Sequence, residues 1–187
     1  MKNVLLLSIC VLSFAVAAFS QTVATTAVVP ADRPKTKLEA FESGTGAVIV
    51  HGYTDVGKLT GAYGGFITAQ SIELTDESNG RRAFGISITL NGNEHYIDYN
   101  EIDPLLRGID FMARADANAT HLANFRADHK TVSGLVFRLV TYPNTGTLFE
   151  IRDENGPVQF KKAGIADVRK LILDAKENLT SSGAVLN

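Results

Sequence analysis

The chain of 187 residues contains a single cysteine, Cys10, and no tryptophan. Cys10 lies in an N-terminal segment that we expect to be removed, so the mature domain would be cysteine-free. Disulfide bonds, thiolate nucleophiles and cysteine-ligated metals would then be excluded from the working protein. Without tryptophan, the sequence also lacks one of the large aromatic residues that stack on sugar rings, so composition gives little support for a glycosidase.

The sequence has no concentration of charge of one sign and no long apolar stretch. Its 18 Lys and Arg residues are interspersed with 20 Asp and Glu residues, which gives a net charge of −2. We therefore expect no nucleic-acid partner, because such binders carry a basic patch or stripe. The uncharged N-terminal run, Val4 to Ala18, has 15 residues, whereas a membrane-spanning helix needs about 20, so we expect no stable membrane insertion.

That N-terminal run is typical of a secretory signal peptide. The positively charged Lys2 precedes it, and it leads to Ala18-Phe19-Ser20, which has small residues on either side of Phe19 as a cleavage site requires. We predict a signal peptide at residues 1–20, a mature chain that begins at Gln21, and an exported protein that is periplasmic or extracellular. Lipid attachment at Cys10 is the minor alternative.

The rest of the chain divides into a tether and one domain. Residues 21–36 contain Thr, Ala, Val and two prolines without a helical or strand period, which predicts a flexible tether. Residues 37–187 are predicted to form a single β-rich globular domain, and a chain of this length can bury a core without covalent cross-links.

Short apolar alternations predict an antiparallel β-meander of about eight or nine strands. The clearest alternation comprises Phe84, Ile86, Ile88 and Leu90. Glycine- and asparagine-containing turns separate the strands, and such short connections imply antiparallel neighbours. Weaker alternations cover 47–53, 66–74, 95–98, 122–128, 135–142, 148–152 and 158–161.

Two segments, 102–115 and 165–177, have the apolar period of helices, with Asp103 as a candidate cap and Pro104 in the first helical position. The predicted fold class is α+β, with both helices packed on the meander. The apolar residues of both helices share the same offsets, which suggests two pseudo-repeated strands-then-helix units. Any two amphipathic helices share such offsets, however, so a duplication and a coincidence both remain open.

The predicted order of elements resembles two known topologies. Strands followed by a helix, twice, resembles the single-strand nucleic-acid binders built from β-meander-and-helix repeats. A long meander that ends in a helix resembles pleckstrin-homology-like domains. The resemblance concerns element order alone, and without a basic face it implies neither binding activity.

One glycine-rich segment stands out from the strand-and-turn pattern. Residues 52–58 have the glycine and lysine spacing of a phosphate-binding loop, but Leu59 occupies the position of the metal-binding hydroxyl. We therefore predict no nucleotide or other cofactor. The glycines up to Gly65 instead indicate a mobile loop between two strands, which either turns a corner or grips a ligand with Tyr53, Lys58 and Tyr63.

No set of residues predicts a catalytic or metal site. The four histidines have no metal-ligand spacing. His51 with Asp55, and His95 with Glu94 or Asp98, are candidate acid–base pairs, but no matching nucleophile accompanies them. Glycosylation sequons begin at Asn118 and Asn178 and matter only if the source organism glycosylates proteins.

The sequence thus predicts an exported, non-enzymatic binding or interaction module. Its partner would be a protein or a small-molecule ligand. A secreted or periplasmic hydrolase that uses dispersed carboxylates or a histidine is the alternative, and a structural or assembly role is a third class.

Overall fold

The computed structural model describes residues 36–142 and 146–183. The predicted signal peptide, Cys10 and residues 21–35 of the predicted tether lie outside the described residues. The described elements, in chain order, are α1 (Lys37–Glu42), β1 (Ile49–Thr60), β2 (Phe66–Asp76), β3 (Arg82–Leu90), β4 (Asn93–Asp98), α2 (Tyr99–Arg114), β5 (Arg126–Lys130), β6 (Val136–Tyr142), β7 (Gly146–Asp153), β8 (Gly156–Lys161) and α3 (Ile165–Ser181). Short 3-10 helices at Ala117–Ala119 and Lys162–Gly164 follow α2 and β8.

The strands form two four-stranded antiparallel sheets. Sheet 1 has the order β1-β2-β3-β4, sheet 2 has the order β5-β6-β7-β8, and each strand pairs with its neighbour in sequence. Helix α2 follows sheet 1 and helix α3 follows sheet 2. The predicted α+β class, with an antiparallel meander and packed helices, is confirmed, and the meander is divided equally between two sheets.

Helix α3 packs on sheet 1, although it follows sheet 2 in the chain. It contacts β1, β2 and β3. The inner face of β2 presents Ile67, Ala69 and Ser71, and the Ser71 hydroxyl donates a hydrogen bond of 2.8 Å to the carbonyl oxygen of Ala175 in α3. Sheet 1 therefore buries its inner face against a helix supplied by the far end of the chain.

Helix α2 lies between the two sheets and against α3. It contacts β3 and β4 on one side and β5 and β6 on the other. Gly108 allows the close approach of β5, because a Cβ at this position would lie 2.8 Å from Nδ1 of His129. Arg169 of α3 donates two hydrogen bonds, of 2.5 and 3.1 Å, to the Asp110 carboxylate of α2. These hydrogen bonds hold the pKa of Asp110 below its usual value.

The helix boundaries differ from the predicted ones. Helix α2 begins at Tyr99, with Asp98 and not Asp103 as its N-cap, and Pro104 lies inside the helix. The helix starts early because β4 ends directly at the Asp98 cap, and Pro104 therefore lies beyond the first turn, where its missing N–H removes one intrahelical hydrogen bond. Helix α3 extends to Ser181, beyond the predicted end at 177.

Two strands also differ from the prediction. Strand β1 continues to Thr60 through most of the segment predicted as a mobile loop, with a β-bulge between Asp55 and Gly57. Glycine is unfavourable in strands, but here β1 is hydrogen-bonded to β2 along its whole length, which keeps the glycine-containing segment extended. This pairing cannot be deduced from the local sequence pattern. Strand β5 covers Arg126–Lys130 and not 122–128.

Within the described residues, no helix has both the length and the apolar character needed to cross a membrane.

Replacing Ile172 by Asp tests the packing of α3 on sheet 1. Ile172 is fully buried, and an unpaired buried charge costs several kcal/mol, against a total stability of about 5–15 kcal/mol for a typical domain. We expect Ile172→Asp to abolish cooperative thermal unfolding monitored by circular dichroism. Ala166→Asp is the matched control, because it places the same charge on the exposed side of α3 and should leave the transition nearly unchanged. A normal transition for Ile172→Asp would contradict this packing.

Candidate functional site

The three predicted binding residues do not converge on one site. Tyr53 and Lys58 both point to the outer face of sheet 1. They are five residues apart and would point to opposite faces of a regular strand, but the bulge between Asp55 and Gly57 adds one residue and puts them on the same face. Their pairing partners on β2, Ile72 and Thr68, are four residues apart, which separates the two residues by about 13 Å at 3.3 Å per residue. Tyr63 belongs to the β1–β2 loop beyond the end of the strand.

Lys58 has an intramolecular partner. Its Nζ atom lies 3.8 Å from the centroid of the Phe66 ring, which is a cation–π contact. Tyr53 is 66% exposed and lines a small depression beside the C-terminal end of α3. Lys58 does not line this depression, whose polar residues are Thr54, Ser71, Glu73, Asn178 and Ser182.

The β1–β2 loop is docked against sheet 2. The Ala62 amide donates a 2.7 Å hydrogen bond to the carbonyl oxygen of Gln159 in β8. Gly61 is required there, because a Cβ would lie 2.8 Å from a Val158 methyl carbon and 2.9 Å from that same carbonyl oxygen. The loop therefore connects the two sheets, and Tyr63 is carried to the surface of sheet 2.

A more substantial site lies between α1 and sheet 1. Helix α1 is held by a capping box: the Glu39 amide donates to Thr36 Oγ1 at 3.0 Å, and the Thr36 amide donates to Glu39 Oε2 at 2.8 Å. The Asp98 carboxylate accepts hydrogen bonds from the Lys37 and Leu38 amides at 2.7 and 3.1 Å. Asp98 thus anchors the start of α1 at the junction of β4 and α2.

Leu38 attaches α1 to the outer face of sheet 1. It is fully buried in a second apolar cluster with Ile72, Leu74 and Tyr96. A glycine is needed beneath it, since a Cβ at Gly85 would lie 2.6 Å from a Leu38 methyl carbon. This packing leaves a cavity of about 530 Å³ beside α1.

The cavity combines apolar walls with cations. Its apolar and aromatic surface comes from Phe41, Ala83, Phe84 and Tyr99. The cations that line the cavity are Lys37, Arg81 and Arg82. We call this site the α1 cavity.

The cations of the α1 cavity are only loosely engaged. The Arg81 side chain is 71% exposed; it lies 3.8 Å from Asp76 and 5.6 Å from the centroid of the Phe41 ring. Arg82 lies 3.5 Å from Glu73. In both pairs the arginine is the exposed partner and the distance is longer than that of a normal hydrogen bond, so each pair contributes little energy. Lys37 has no ion-pair partner in the part of the chain that the structure describes.

The sequence contained a local indication of this site. Thr36 followed by Glu39 is the spacing of a capping box at the start of a helix, but the predicted tether included Thr36 and no helix was predicted there. The adjacent cations Arg81 and Arg82 follow the Ser78-Asn79-Gly80 turn. Their approach to α1 depends on the packing of Leu38 over Gly85, which cannot be deduced from local pattern.

The histidines are not arranged as predicted. His95 does not pair with Glu94 or Asp98, because both lie an odd number of residues from it in β4 and so point to the opposite face of the sheet. Its Nε2 atom instead lies 3.1 Å from Oδ2 of Asp153. His51 does not pair with Asp55: the Asp55 carboxylate accepts a hydrogen bond from Gln70. The Nε2 atom of His51 lies 3.8 Å from the Glu42 carboxylate.

The His95–Asp153 pair connects β4 to the β7–β8 turn. Asp153 is nearly buried and also accepts from the Asn155 amide at 2.8 Å. No hydroxyl nucleophile is hydrogen-bonded to His95 among the described residues, and its Nδ1 atom is buried without a partner. The pair is therefore a polar link between the two sheets.

Within residues 36–142 and 146–183, no three His, Cys, Asp or Glu side chains are grouped so that they could hold a metal ion.

His129 lies on the inner face of sheet 2 against α2. Burial there lowers the pKa of His129, and the nearby Glu101 carboxylate opposes this effect.

Replacing Asp153 by Asn tests the link between the sheets through its pH dependence. Burial raises the pKa of Asp153, but hydrogen bonds from His95 and Asn155 outweigh burial and hold it below the usual value. The unfolded chain, with an Asp pKa of about 3.9, then binds more protons than the folded chain just below that pH. The stabilisation by Asp153 is therefore complete above about pH 4 and is lost as the pH falls through the folded-state pKa.

We expect Asp153→Asn to lower the free energy of unfolding at neutral pH by about 1–2 kcal/mol and to flatten its decline in acid, measured by urea unfolding. Asp116→Asn is the matched control: Asp116 also accepts from the amide two residues ahead, at 2.8 Å, but it is exposed and has no histidine partner. The same acid profile in Asp153→Asn and wild type would contradict the role of Asp153.

No protein-family model, curated protein or solved structure matches this chain. Its function is therefore inferred from its residues and their geometry.

Proposed function

We propose that the protein is an exported binding module that holds a small amphiphilic anion in the α1 cavity. The single observation that carries this proposal is the presence of three cations beside the apolar and aromatic side chains of a 530 Å³ cavity. Small-molecule sites are typically apolar clefts of about 300–1,000 Å³ with a few polar groups that fix orientation. The ligand class follows from this lining: an acidic headgroup for Lys37, Arg81 and Arg82, and an aliphatic or aromatic body for Phe41 and Phe84.

The electrostatics favour an anion over a cation or a neutral ligand. The one carboxylate that lines the cavity, Asp98, is buried and has both oxygens engaged by the Lys37 and Leu38 amides. Arginine can exchange an exposed carboxylate partner for a ligand carboxylate or sulfonate with bidentate geometry. Lys37 can add a further charge-assisted hydrogen bond.

The same engagement of Asp98 argues against the alternative hydrolase. A general base must reach the substrate or a water, whereas Asp98 is buried and accepts hydrogen bonds from two backbone amides of α1. The export component of the proposal depends on the predicted signal peptide at residues 1–20.

The alternative, a hydrolase, would be supported by turnover of ester or glycoside substrates that is lost when a carboxylate or a histidine is substituted.

Fluorescence titration with 1-anilinonaphthalene-8-sulfonate, an aromatic anion, tests the α1 cavity. We expect saturable binding that is displaced by decanoate and not by its uncharged counterpart, decanol. Arg81→Gln combined with Arg82→Gln should weaken the affinity by about tenfold or more, because a hydrogen bond to a charged group contributes about 1.5–3 kcal/mol.

Arg126→Gln combined with Lys130→Gln is the matched control, since it removes two neighbouring exposed cations from β5 in the other sheet. Thermal unfolding of both variants checks that the fold is retained. Equal affinities for the two double variants, or equal displacement by decanoate and decanol, would contradict the proposal.

A further inference from the structure

The outer face of sheet 2 carries a concentration of positive charge. Strand register places the core residues of β5 to β8 on the inner face and brings five cations together on the outer one: Arg126, Lys130, Arg138, Arg152 and Lys161. Among the described residues of these strands, two carboxylates, Asp128 and Glu150, share that face, although the whole chain has a net charge of −2. The sequence conceals this grouping, because the cations alternate with core residues along four different strands.

Three of these cations are available for a ligand. Asp128 accepts two hydrogen bonds from Arg138, at 2.7 and 3.0 Å, and lies 3.2 Å from Arg126. Lys130, Arg152 and Lys161 have no ion-pair partner among the described residues. Arg152 is still near enough to Asp128 to add to the effect of the Arg138 hydrogen bonds, which hold the pKa of that carboxyl below its usual value.

An aromatic cleft lies among them on the same face. The docked β1–β2 loop places Tyr63, which is 62% exposed, near Tyr142, which is 37% exposed. These two rings, with Leu148 and Gln159, line a space of about 290 Å³. That volume is near the lower end of small-molecule sites and suits one ring-sized group.

A buried carboxylate lies beside the cleft. Glu150 accepts hydrogen bonds from the Tyr142 hydroxyl at 2.8 Å and from the Gln159 amide at 2.7 Å, both through Oε1. Its Oε2 atom is buried without a partner among the described residues. The bond to Glu150 raises the pKa of Tyr142, opposed by the nearby charges of Arg138 and Arg152. Because the phenol hydrogen is directed at Glu150, the Tyr142 oxygen faces a ligand as an acceptor.

We infer that the outer face of sheet 2 binds an acidic polysaccharide, with one sugar ring in the cleft between Tyr63 and Tyr142 and its carboxylate or sulfate groups against Arg152 and Lys161. Tyrosine supplies a flat apolar face for the ring together with a polar edge. The Tyr142 and Gln159 oxygens accept hydrogen bonds from ring hydroxyls. Lys161 pairs with Leu148 across the strands, which sets a cation directly beside the cleft.

This combination favours a sugar polymer over two other polyanions. A flat anionic membrane would use the cations but not the cleft. A single-stranded nucleic acid would use both, so it is the competing ligand in the test. A sugar ring fits the cleft because its hydroxyl groups donate hydrogen bonds to the Tyr142 and Gln159 oxygens.

The surface is independent of the α1 cavity. It lies on the other sheet and shares no lining residue with that cavity, so each inference can fail alone. The double variant Arg81→Gln with Arg82→Gln is accordingly a control here.

The test uses an oligogalacturonate and fluorine NMR of the full chain labelled with fluorotyrosine. The chain has five tyrosines, and we expect the oligogalacturonate to shift the resonances of Tyr63 and Tyr142 selectively. A neutral malto-oligosaccharide of matched length should cause much smaller shifts. Affinity should fall as salt is added, because the ionic contacts are screened.

Substitutions separate the two components of the site. Tyr63→Ala should weaken oligogalacturonate binding by about tenfold, whereas Tyr53→Ala, which removes an equally exposed tyrosine from sheet 1, should leave it unchanged. Arg152→Gln combined with Lys161→Gln should weaken binding and reduce its salt dependence.

Three outcomes would overturn the inference. The first is the absence of shifts at Tyr63 and Tyr142 with oligogalacturonate at low salt. The second is equal weakening by Tyr63→Ala and Tyr53→Ala. The third is tighter binding of a single-stranded oligothymidylate, or of vesicles containing phosphatidylglycerol, with the same dependence on Arg152 and Lys161.

Discussion

The packing of α3 on the inner face of sheet 1 is the contact on which the rest of the structure depends. Sheet 1 is complete by Asp98, yet its inner residues Ile67 and Ala69 are buried only when α3, the last helix, is in place. Helix α2 contacts both sheets, so neither strands-then-helix unit closes its own core. The two units therefore form one cooperative body, in which burial of apolar surface couples the ends of the domain.

Both proposed ligand sites follow from this arrangement. Since α3 occupies the inner face of sheet 1, α1 can pack only on the outer face, where Leu38 over Gly85 creates the α1 cavity. On the other side, the sheets are close enough for the β1–β2 loop to reach β8 through the Ala62–Gln159 hydrogen bond. That contact brings Tyr63 to the cations of sheet 2. The sites are thus products of tertiary packing and not of local motifs.

This dependence explains what the sequence could and could not predict. Periodicity predicted the α+β class, the antiparallel strands and both long helices, because period-2 and period-3.6 patterns are local. The three predicted binding residues do not lie together: Tyr63 is on the β1–β2 loop against sheet 2, whereas Tyr53 and Lys58 are on strand β1 of sheet 1. Helix α1 was missed although its capping box, Thr36 and Glu39, is local. The grouping of Arg152 with Lys161 and the pairing of His95 with Asp153 depend on register and on contacts between sheets, which a linear pattern does not contain.

Native-state hydrogen exchange tests most directly whether the two units form one cooperative body. Amides of buried strand residues in sheet 1, such as Ile86 and Ile88, and in sheet 2, such as Phe149 and Ile151, should exchange with the same opening free energy. Their dependence on denaturant should also be the same, because both sheets would open only on global unfolding. A lower opening free energy confined to one sheet, with the other still protected, would show that each unit closes its own core and would contradict the account.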